Sequence, residues 1–534
     1  MLFTSYGFIA FVAVVLVLYY VVPKKTQWML LLAASYFFYA FSGLWNFVFI
    51  FAVTVSCYII ARIMAKMRAR EDETVEKNRD TWEKEERKAY RAKQKKRRLR
   101  VLVLGIVINI GILAVVKYTE FVLNNVNSLL EAFDVSTITV PDIILPLGLS
   151  FFIFQSVSYL IDVYRGKTFA EKNIAKFALF VSFFPQLVQG PISRHSDLAS
   201  QLYEPHKFDA VKLKFGLQRI LWGLFKKLVI ADRIIVATAK LSGGDGAFDG
   251  AYVFLLIIFY SIQIYADFTG GIDITIGIAE ALGMNLAENF NRPFSSRSTK
   301  EYWNRWHMTM GNWFNDYIFM PLSVSKPLLK LSKKTRSKNN RFMKGLGKRI
   351  PVYVATTVTW FTTGLWHGAA WNFIVWGLLN CLVILVSQEF EPLYRRFRTR
   401  FPKLTVSYPY YCFSVARTFL LMGLIRSLDC YRNVSVTFSA WGSMFTKFNW
   451  GEAFSNFWSE EILGLSVADY VIIAAAVLLV FVVQRLGQKR DLRQALVGKP
   501  VISSTFAGLL IMIVLLFGSY GLDVATIPSI YGQF

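Results

Sequence analysis

Apolar stretches long enough to cross a hydrocarbon layer of about 30 Å recur along the whole chain. Hydrophobic residues make up 54% of the 534 residues, which is more apolar surface than one soluble core buries. The sequence therefore predicts an all-α, polytopic membrane protein with about 11–13 transmembrane or re-entrant helices. The predicted spans cover residues 6–22, 28–42, 44–65, 101–117, 142–163, 174–192, 217–239, 252–283, 351–366, 368–387, 408–428, 467–486 and 504–522.

Two of these spans contain residues that interrupt a helix. Pro185 lies within the span at 174–192, and a second break is predicted near Gly270 in the span at 252–283. Broken helices of this kind line ligand and ion sites in transporters, and Asp273 places a carboxylate beside the second break. These features leave open a transporter of a small anion or of a polysaccharide unit.

The net charge is +25, and most of the basic residues fall in four segments between the spans. Because cytoplasmic loops collect Lys and Arg, these segments are predicted to face the cytoplasm, which places both termini outside. The first segment mixes both signs and lacks helix breakers, so it predicts a cytosolic helix attracted to anionic lipid rather than to nucleic acid. The four segments are residues 66–100, 292–349, 395–403 and 485–499.

Two of the four histidines stand in tryptophan-rich segments. Residues 299–319 are predicted to form one helix, with the large apolar side chains and His307 on one face. His307 would then point into the protein or the membrane, either as a functional group or as a buried histidine satisfied by a neighbour. That face holds Trp303, Trp306, His307, Met310, Trp313, Phe314 and Tyr317, with Arg305, Asn312 and Asp316 opposite.

His367 follows an apolar helix predicted over residues 351–366, which would be about 24 Å long. Gly364 and Gly368 allow close backbone approach, and the next span begins at once, so His367 is predicted at the apex of a hairpin inside the bilayer. An ionisable side chain at that depth indicates a functional site. A histidine that caps a helix in a tight turn is the structural alternative.

Six motifs follow one another between residues 140 and 380. They are Leu145-Pro-Leu-Gly-Leu-Ser-Phe-Phe-Ile-Phe-Gln155, Phe183-Phe-Pro-Gln-Leu-Val-Gln-Gly-Pro-Ile192, Gly223-Leu-Phe-Lys-Lys-Leu-Val-Ile-Ala-Asp232, Glu288-Asn-Phe-Asn-Arg-Pro-Phe294, Trp303-Asn-Arg-Trp-His-Met308 and Gly364-Leu-Trp-His-Gly-Ala-Ala-Trp371. Together they resemble the membrane-bound O-acyltransferase (MBOAT) family, most closely its bacterial alginate O-acetyltransferase-like branch. The ending Ile530-Tyr-Gly-Gln-Phe534 is similar to the aromatic C-terminus of that branch.

The resemblance implies a helical membrane enzyme with a tunnel from the cytosol to the outside. It implies that His367 is the catalytic histidine and that His307 is a second functional histidine near the cytoplasmic mouth. Asn304 and Asn315 stand where the family often has arginine, which alters the expected donor contacts at that mouth. The substrate-binding residues implied are Trp303, Trp306, Asn291, Arg305, Asp316, Trp366 and Trp371.

The predicted reaction moves an acetyl group from cytosolic acetyl-CoA toward an exported cell-surface polysaccharide, with no bound cofactor and no metal. The resemblance implies an extracytoplasmic esterase-like acyltransferase as partner and a location in a bacterial inner or plasma membrane, among membrane lipids and without nucleic acid. The alternative, from similarity of the Trp303–Met308 motif to a teichoic-acid D-alanylation transferase, is D-alanyl transfer from a carrier protein. The predicted domains are N-terminal membrane helices (1–65), a basic cytosolic segment (66–100), an MBOAT catalytic core (101–428), and a C-terminal extracytoplasmic loop with membrane helices (429–534).

Overall fold

The structure is a computed structural model that describes residues 3–243, 248–337, 340–488 and 492–519. Every regular element in these ranges is a helix, which confirms the predicted all-α fold. The C-terminal motif at residues 530–534 lies outside the described residues.

Seven helices in the described part of the chain are long and apolar enough to cross a membrane, as expected for a polytopic protein. The predicted spans at 142–163 and 174–192 form shorter helices, Leu149–Arg165 and Ile174–Ser182. The seven long helices are Leu44–Lys77, Lys84–Ala132, Ala251–Ala281, Trp371–Glu389, Tyr408–Tyr431, Val467–Leu486 and Pro500–Phe517.

The chain divides into two compact units. One comprises Met1–Gly216 with Thr275–Ala287, and the other comprises Leu217–Ile274 with Glu288–Phe534. Two helices, Ala210–Leu224 and Ala251–Ala281, contribute residues to both units.

The two longest helices of the first unit are Phe47–Lys77 and Lys84–Ala132, and they pack against each other. The buried side chain of Glu71 and the largely buried side chain of Arg98 form an ion pair between the two helices. The segment predicted as a cytosolic helix thus continues directly into an apolar span. The other helices of this unit are Tyr6–Val21, Lys24–Thr26, Gln27–Ala40, Leu44–Asn46, Leu149–Arg165, Ile174–Ser182, Phe184–Leu187 and His195–Tyr203.

The break predicted at Pro185 is confirmed. One helix ends at Ser182, a single turn covers Phe184–Leu187, and no regular helix follows until His195. The Thr275 hydroxyl lies 2.9 Å from the carbonyl oxygen of Pro185 and 2.8 Å from that of Gln189. This hydroxyl therefore offers its one hydrogen to two carbonyl groups that the broken helix leaves without helical partners.

The second unit is built around a close helical hairpin, Arg341–His367 and Trp371–Glu389. The two helices touch at glycines: a Cβ atom on Gly364 would lie 2.5 Å from the carbonyl oxygen of Phe373, and one on Gly377 only 2.4 Å from that of Trp360. Only glycine allows backbones to approach so closely. The remaining helices of this unit are Phe225–Ala231, Asp232–Leu241, Pro293–Ser295, Thr299–Trp303, Met308–Phe314, Asn315–Phe319, Met320–Ser323, Lys326–Arg336, Glu391–Arg400, Pro402–Thr405, Tyr408–Tyr431, Val434–Thr446, Trp450–Phe457, Glu460–Leu463, Val467–Leu486, Leu492–Ala495 and Pro500–Phe517.

The break predicted near Gly270 is wrong, because Ala251–Ala281 is one continuous helix. The irregularity lies in its neighbour, where Phe225–Ala231 is π-helical. Gly270 instead serves close packing: a Cβ atom there would lie 2.9 Å from the carbonyl oxygen of Gly223, so the small residues let the two helices cross.

The π-helical turn places two adjacent lysines against carboxylates of the long helix. The Lys226 Nζ atom lies 2.5 Å from Asp273, and the Lys227 Nζ atom lies 2.7 Å from both Asp267 and Asp232. Charges buried among membrane helices are tolerated when they pair in this way. We call these side chains, together with Arg219, the ion-pair cluster.

Candidate functional site

His367 is the last residue of the Arg341–His367 helix, and its side chain is buried. The imidazole packs edge-on against two indole rings, with ring centroids 4.6 Å from Trp376 and 5.1 Å from Trp366. The predicted apex of a hairpin is confirmed, because Trp371–Glu389 begins after only three residues. The helix end and the glycine contacts below it fix the backbone that carries this histidine.

Further tryptophans pack against Trp376. The ring centroid of Trp376 lies 5.6 Å from that of Trp303, which in turn lies 4.8 Å from Trp360. The indole N–H of Trp303 donates a hydrogen bond to the side-chain oxygen of Asn380, at 3.1 Å. The indole N–H is the only polar group of a tryptophan side chain, so this hydrogen bond allows Trp303 to pack among apolar rings without an unsatisfied donor.

The single helix predicted over residues 299–319 is wrong. His307 adopts a left-handed backbone conformation, with φ of 47°, and separates Thr299–Trp303 from Met308–Phe314. The cause is a competing backbone pairing: the Met308 N–H donates to the carbonyl oxygen of Asn289, at 2.9 Å, instead of to a helical carbonyl. The apolar face is nevertheless buried as predicted, apart from half-buried Trp303.

A buried asparagine orients His307. The Asn289 side-chain oxygen lies 3.2 Å from Nδ1 of His307 and accepts from the backbone N–H and the hydroxyl of Thr309, at 3.0 and 2.9 Å. Because these neighbours identify that Asn289 atom as an acceptor, Nδ1 of His307 carries the proton. The other ring nitrogen, Nε2, is then the acceptor atom of the neutral imidazole.

The surroundings of His307 favour the neutral imidazole. Burial is the main cause, and the positive charge of Arg426 adds to it; together they lower the pKa of His307 to about 3. The imidazole also packs edge-on against the Phe268 ring, at 4.9 Å between centroids. At neutral pH this histidine therefore acts as an uncharged donor and acceptor.

Trp366 contacts both histidines. Its ring centroid is 6.1 Å from that of His307 and 5.1 Å from that of His367. We call His307, Trp366, His367 and Trp376 the histidine cluster. The two motifs that contributed these histidines are more than fifty residues apart in the sequence, and the fold brings them to one indole.

The other predicted site residues occupy different environments. Trp306 is buried and stacks on Tyr302, whereas Trp371 is 57% exposed at the start of its helix. Arg305 forms an ion pair with Glu301, at 2.7 Å. Of the residues predicted to bind substrate, Trp366 is a member of the histidine cluster, and Trp303 packs against the Trp376 ring of that cluster.

The remaining two predicted residues are polar and solvent-accessible. Asn291 is exposed; its backbone N–H donates to the carbonyl oxygen of Arg305 at 2.9 Å, and the residue lines a cavity described below. Asp316 is half-buried at the start of a π-helical turn, where it accepts a hydrogen bond from Asn315.

Sequence reasoning missed two residues of the site. Asn289, rather than Asn291, contacts His307, and the motif that contains both gave no reason to choose between them. Arg426 is a buried charge in the Tyr408–Tyr431 span; its guanidinium lies 4.2 Å over the Trp306 ring and donates to the Tyr302 hydroxyl, at 3.1 Å. An arginine inside an apolar span was a usable signal for this residue.

Comparisons with known proteins agree with the motifs. The family model described as MBOAT, membrane-bound O-acyltransferase family, matches residues 170–337 and 341–427. A probable alginate O-acetylase of Azotobacter vinelandii is 36% identical over 280 residues, which are 52% of this chain and 51% of the relative. One of Pseudomonas syringae is 30% identical over 396 residues, or 73% of this chain and 69% of the relative.

Relatives with other names also match about half of this chain or more. A peptidoglycan O-acetyltransferase of Helicobacter pylori is 31% identical over 57% of this chain and 58% of its own length. A teichoic acid D-alanyltransferase of Bacillus subtilis is more distant, at 25% identity over 50% of this chain and 67% of its own length.

Proposed function

Because the chain belongs to the membrane-bound O-acyltransferase family, we propose that it passes an acetyl group from cytosolic acetyl-CoA across the membrane toward an exported cell-surface polysaccharide. The matches confirm the family and the acyltransferase class predicted from the motifs. The observation that carries the proposal is the histidine cluster, in which two histidines from separate motifs both contact the Trp366 ring.

His367 is the proposed catalytic residue. As a general base, its neutral imidazole takes the proton of an acceptor hydroxyl while the hydroxyl oxygen attacks the thioester carbonyl carbon. The C–S bond then breaks, the thiolate receives the proton from the imidazolium, and an acetyl ester and free coenzyme A result. In the covalent variant, His367 itself attacks and carries the acetyl group until the hydroxyl displaces it.

The aromatic surroundings suit either route. Indole rings exclude water from the imidazole, which protects a thioester or an acyl-histidine from hydrolysis. His307 has a positioning role in the proposal, since it is neutral and its tautomer is fixed by Asn289. A neutral histidine can hold a hydroxyl or thiol through a hydrogen bond without trapping it as an ion pair.

The wider assignment follows the proposed reaction. The basic segments face the cytoplasm, both termini face outside, and an extracytoplasmic esterase-like acyltransferase receives the acetyl group. The relatives named for alginate and for peptidoglycan support a carbohydrate-containing acceptor in a bacterial envelope. The helix that contains Gly270 is continuous and its carboxylates are paired, so it no longer favours a transporter. The break at Pro185 is real, but the Thr275 hydroxyl lies against its carbonyl oxygens.

The test measures free coenzyme A released from acetyl-CoA by the purified protein in liposomes. We expect release by the wild type and a loss of at least about a thousandfold in His367→Gln, a size typical of a removed general base. His206→Gln, in the first unit, is the matched control and should retain activity. Release at the wild-type rate by His367→Gln would overturn the catalytic assignment.

The D-alanyl alternative is favoured by the more distant relatives named as teichoic acid D-alanyltransferases. It predicts that acetyl-CoA is not consumed, whereas a D-alanyl carrier protein is discharged in a reaction that also needs His367. Supplying both donors to the same preparation distinguishes the two substrates directly.

A further inference from the structure

A cavity of about 270 Å³ opens beside the ion-pair cluster of the second unit. Trp222 and Tyr265 form part of its aromatic wall, and Lys226 and Arg292 bring positive charge to it. The end of the Val467–Leu486 span closes one side through Gln484 and Gly487. None of its lining residues belongs to the histidine cluster, so this is a separate place in the unit.

The carboxylates in the cavity wall already have cationic partners. Asp273 lies 2.5 Å from Lys226 and 3.0 Å from Arg219, and Glu288 lies 2.6 Å from Arg219. Arg292 differs, because its Nε–H only meets the Asn291 side-chain oxygen at 3.3 Å. Its buried Nη1 atom has no hydrogen-bond acceptor among the described residues.

The backbone of Arg292 adds a second, independent observation. Its φ of 50° and ψ of 58° are left-handed values that glycine adopts readily and a long side chain adopts with strain. Strained residues of this kind cluster where a side chain must be held for a ligand. The half-buried Arg292 side chain lines the cavity from this turn, and its Nη1 atom is buried there.

We propose that this cavity binds a phosphate group through Arg292. The flat guanidinium fork matches two phosphate oxygens, and a buried N–H without an acceptor loses free energy until it finds one. The volume is slightly below the range of about 300–1,000 Å³ for complete ligand sites. The cavity therefore has room for a phosphate and a small apolar group attached to it, but not for a whole donor molecule.

Two sources present that chemistry at a membrane surface: the headgroup of an anionic phospholipid and the phosphates of coenzyme A. The second source rests on the proposed function, and the first does not. The experiment therefore measures both sources on the same variants of the full chain.

The variants are Arg292→Gly, Arg292→Lys and Arg297→Ala. Glycine relieves the left-handed strain, so a loss in Arg292→Gly does not arise from a misfolded turn. Arg297→Ala is a matched control in the same segment, because it removes the same positive charge from a side chain that is 62% exposed. Calorimetry measures binding of coenzyme A and of pantetheine, its phosphate-free part; thermal shift measures stabilisation by phosphatidylglycerol against phosphatidylcholine.

We expect at least a tenfold loss for one phosphate probe in Arg292→Gly, partial retention in Arg292→Lys, and less than about a twofold change in Arg297→Ala. A loss for coenzyme A but not for pantetheine identifies the donor phosphates, and a loss of the phosphatidylglycerol effect identifies the lipid. Equal behaviour of Arg292→Gly and Arg297→Ala with both probes overturns the proposal. Acetyl-CoA cleavage that still needs His367 would show that the proposed function survives that result.

Discussion

The second unit buries two polar clusters that differ in how their charges are balanced. In the ion-pair cluster every carboxylate meets a lysine or arginine, so the charges satisfy one another. The histidine cluster is instead lined by aromatic rings, and the charge that acts on His307, Arg426, shares the sign of a protonated histidine. We infer that the ion-pair cluster stabilises the fold, whereas the histidine cluster keeps polar groups available for a reaction.

The largest effect is expected from breaking the ion-pair cluster. Asp273→Asn leaves Lys226 buried with an incomplete partner, and removing one member of a buried pair typically costs about 3–5 kcal/mol. We expect little folded protein, measured as the monodisperse fraction after extraction and its apparent Tm. The control is Glu391→Gln, whose pair with Arg398 is exposed and contributes at most about 1 kcal/mol.

The comparison fails if the activity per folded molecule of Asp273→Asn also falls a hundredfold. That outcome would place the ion-pair cluster in the chemistry rather than in the scaffold. A normal turnover number with a reduced yield supports the structural role.

A smaller effect, on turnover rather than folding, is expected at Asn289. Asn289→Leu removes the acceptor of His307 Nδ1 and two further hydrogen bonds. Losses of this kind amount to about 1–3 kcal/mol, which corresponds to a ten- to hundredfold fall in kcat. Asn312→Leu, on an exposed position of the next helix, is the control; equal kcat values for the two variants would remove Asn289 from the site.

Arg426 tests the electrostatic half of the comparison. Arg426→Gln removes the charge that lowers the pKa of His307, so that pKa rises, although burial still keeps it below the ordinary value. We expect the acid-side loss of activity to begin at a higher pH than in the wild type, with a several-fold lower kcat from the lost contact with Trp306. Arg426→Lys keeps the charge and should leave the acid limb in place; an unshifted limb in Arg426→Gln contradicts the argument.

The sequence was sufficient for some elements of the fold and the site. Hydropathy predicted the membrane helices, and the Gly-Leu-Trp-His-Gly motif predicted the hairpin end at His367, because both depend on local composition. Pro185 likewise marked a real break: it stands in the first turn of a new short helix, where its missing N–H leaves no helical hydrogen bond unmade.

The errors arose where a distant segment overrides local pattern. Helical spacing over residues 299–319 was real, yet pairing of Met308 with Asn289 forces His307 into a left-handed turn. Gly270 looked like a helix break because glycine disfavours helices. Its actual role is to pack against Gly223 of another helix, which the local sequence does not reveal. Asn289 was indistinguishable from Asn291 for the same reason: only the tertiary fold decides which one faces the histidine.

The smallest effect is expected at Trp371, and it sharpens the boundary of the histidine cluster. Its motif ends Trp366-His367-Gly368-Ala369-Ala370-Trp371, yet Trp371 is 57% exposed whereas Trp376, five residues later, is buried against His367. Trp371→Ala should change kcat/KM for a soluble acceptor by less than about twofold, because an exposed side chain loses little on truncation. Trp376→Leu should lower kcat at least tenfold, since it removes the ring that contacts the imidazole. A tenfold loss in Trp371→Ala that appears only when the extracytoplasmic partner is present would extend the functional surface from the buried cluster to the end of this helix.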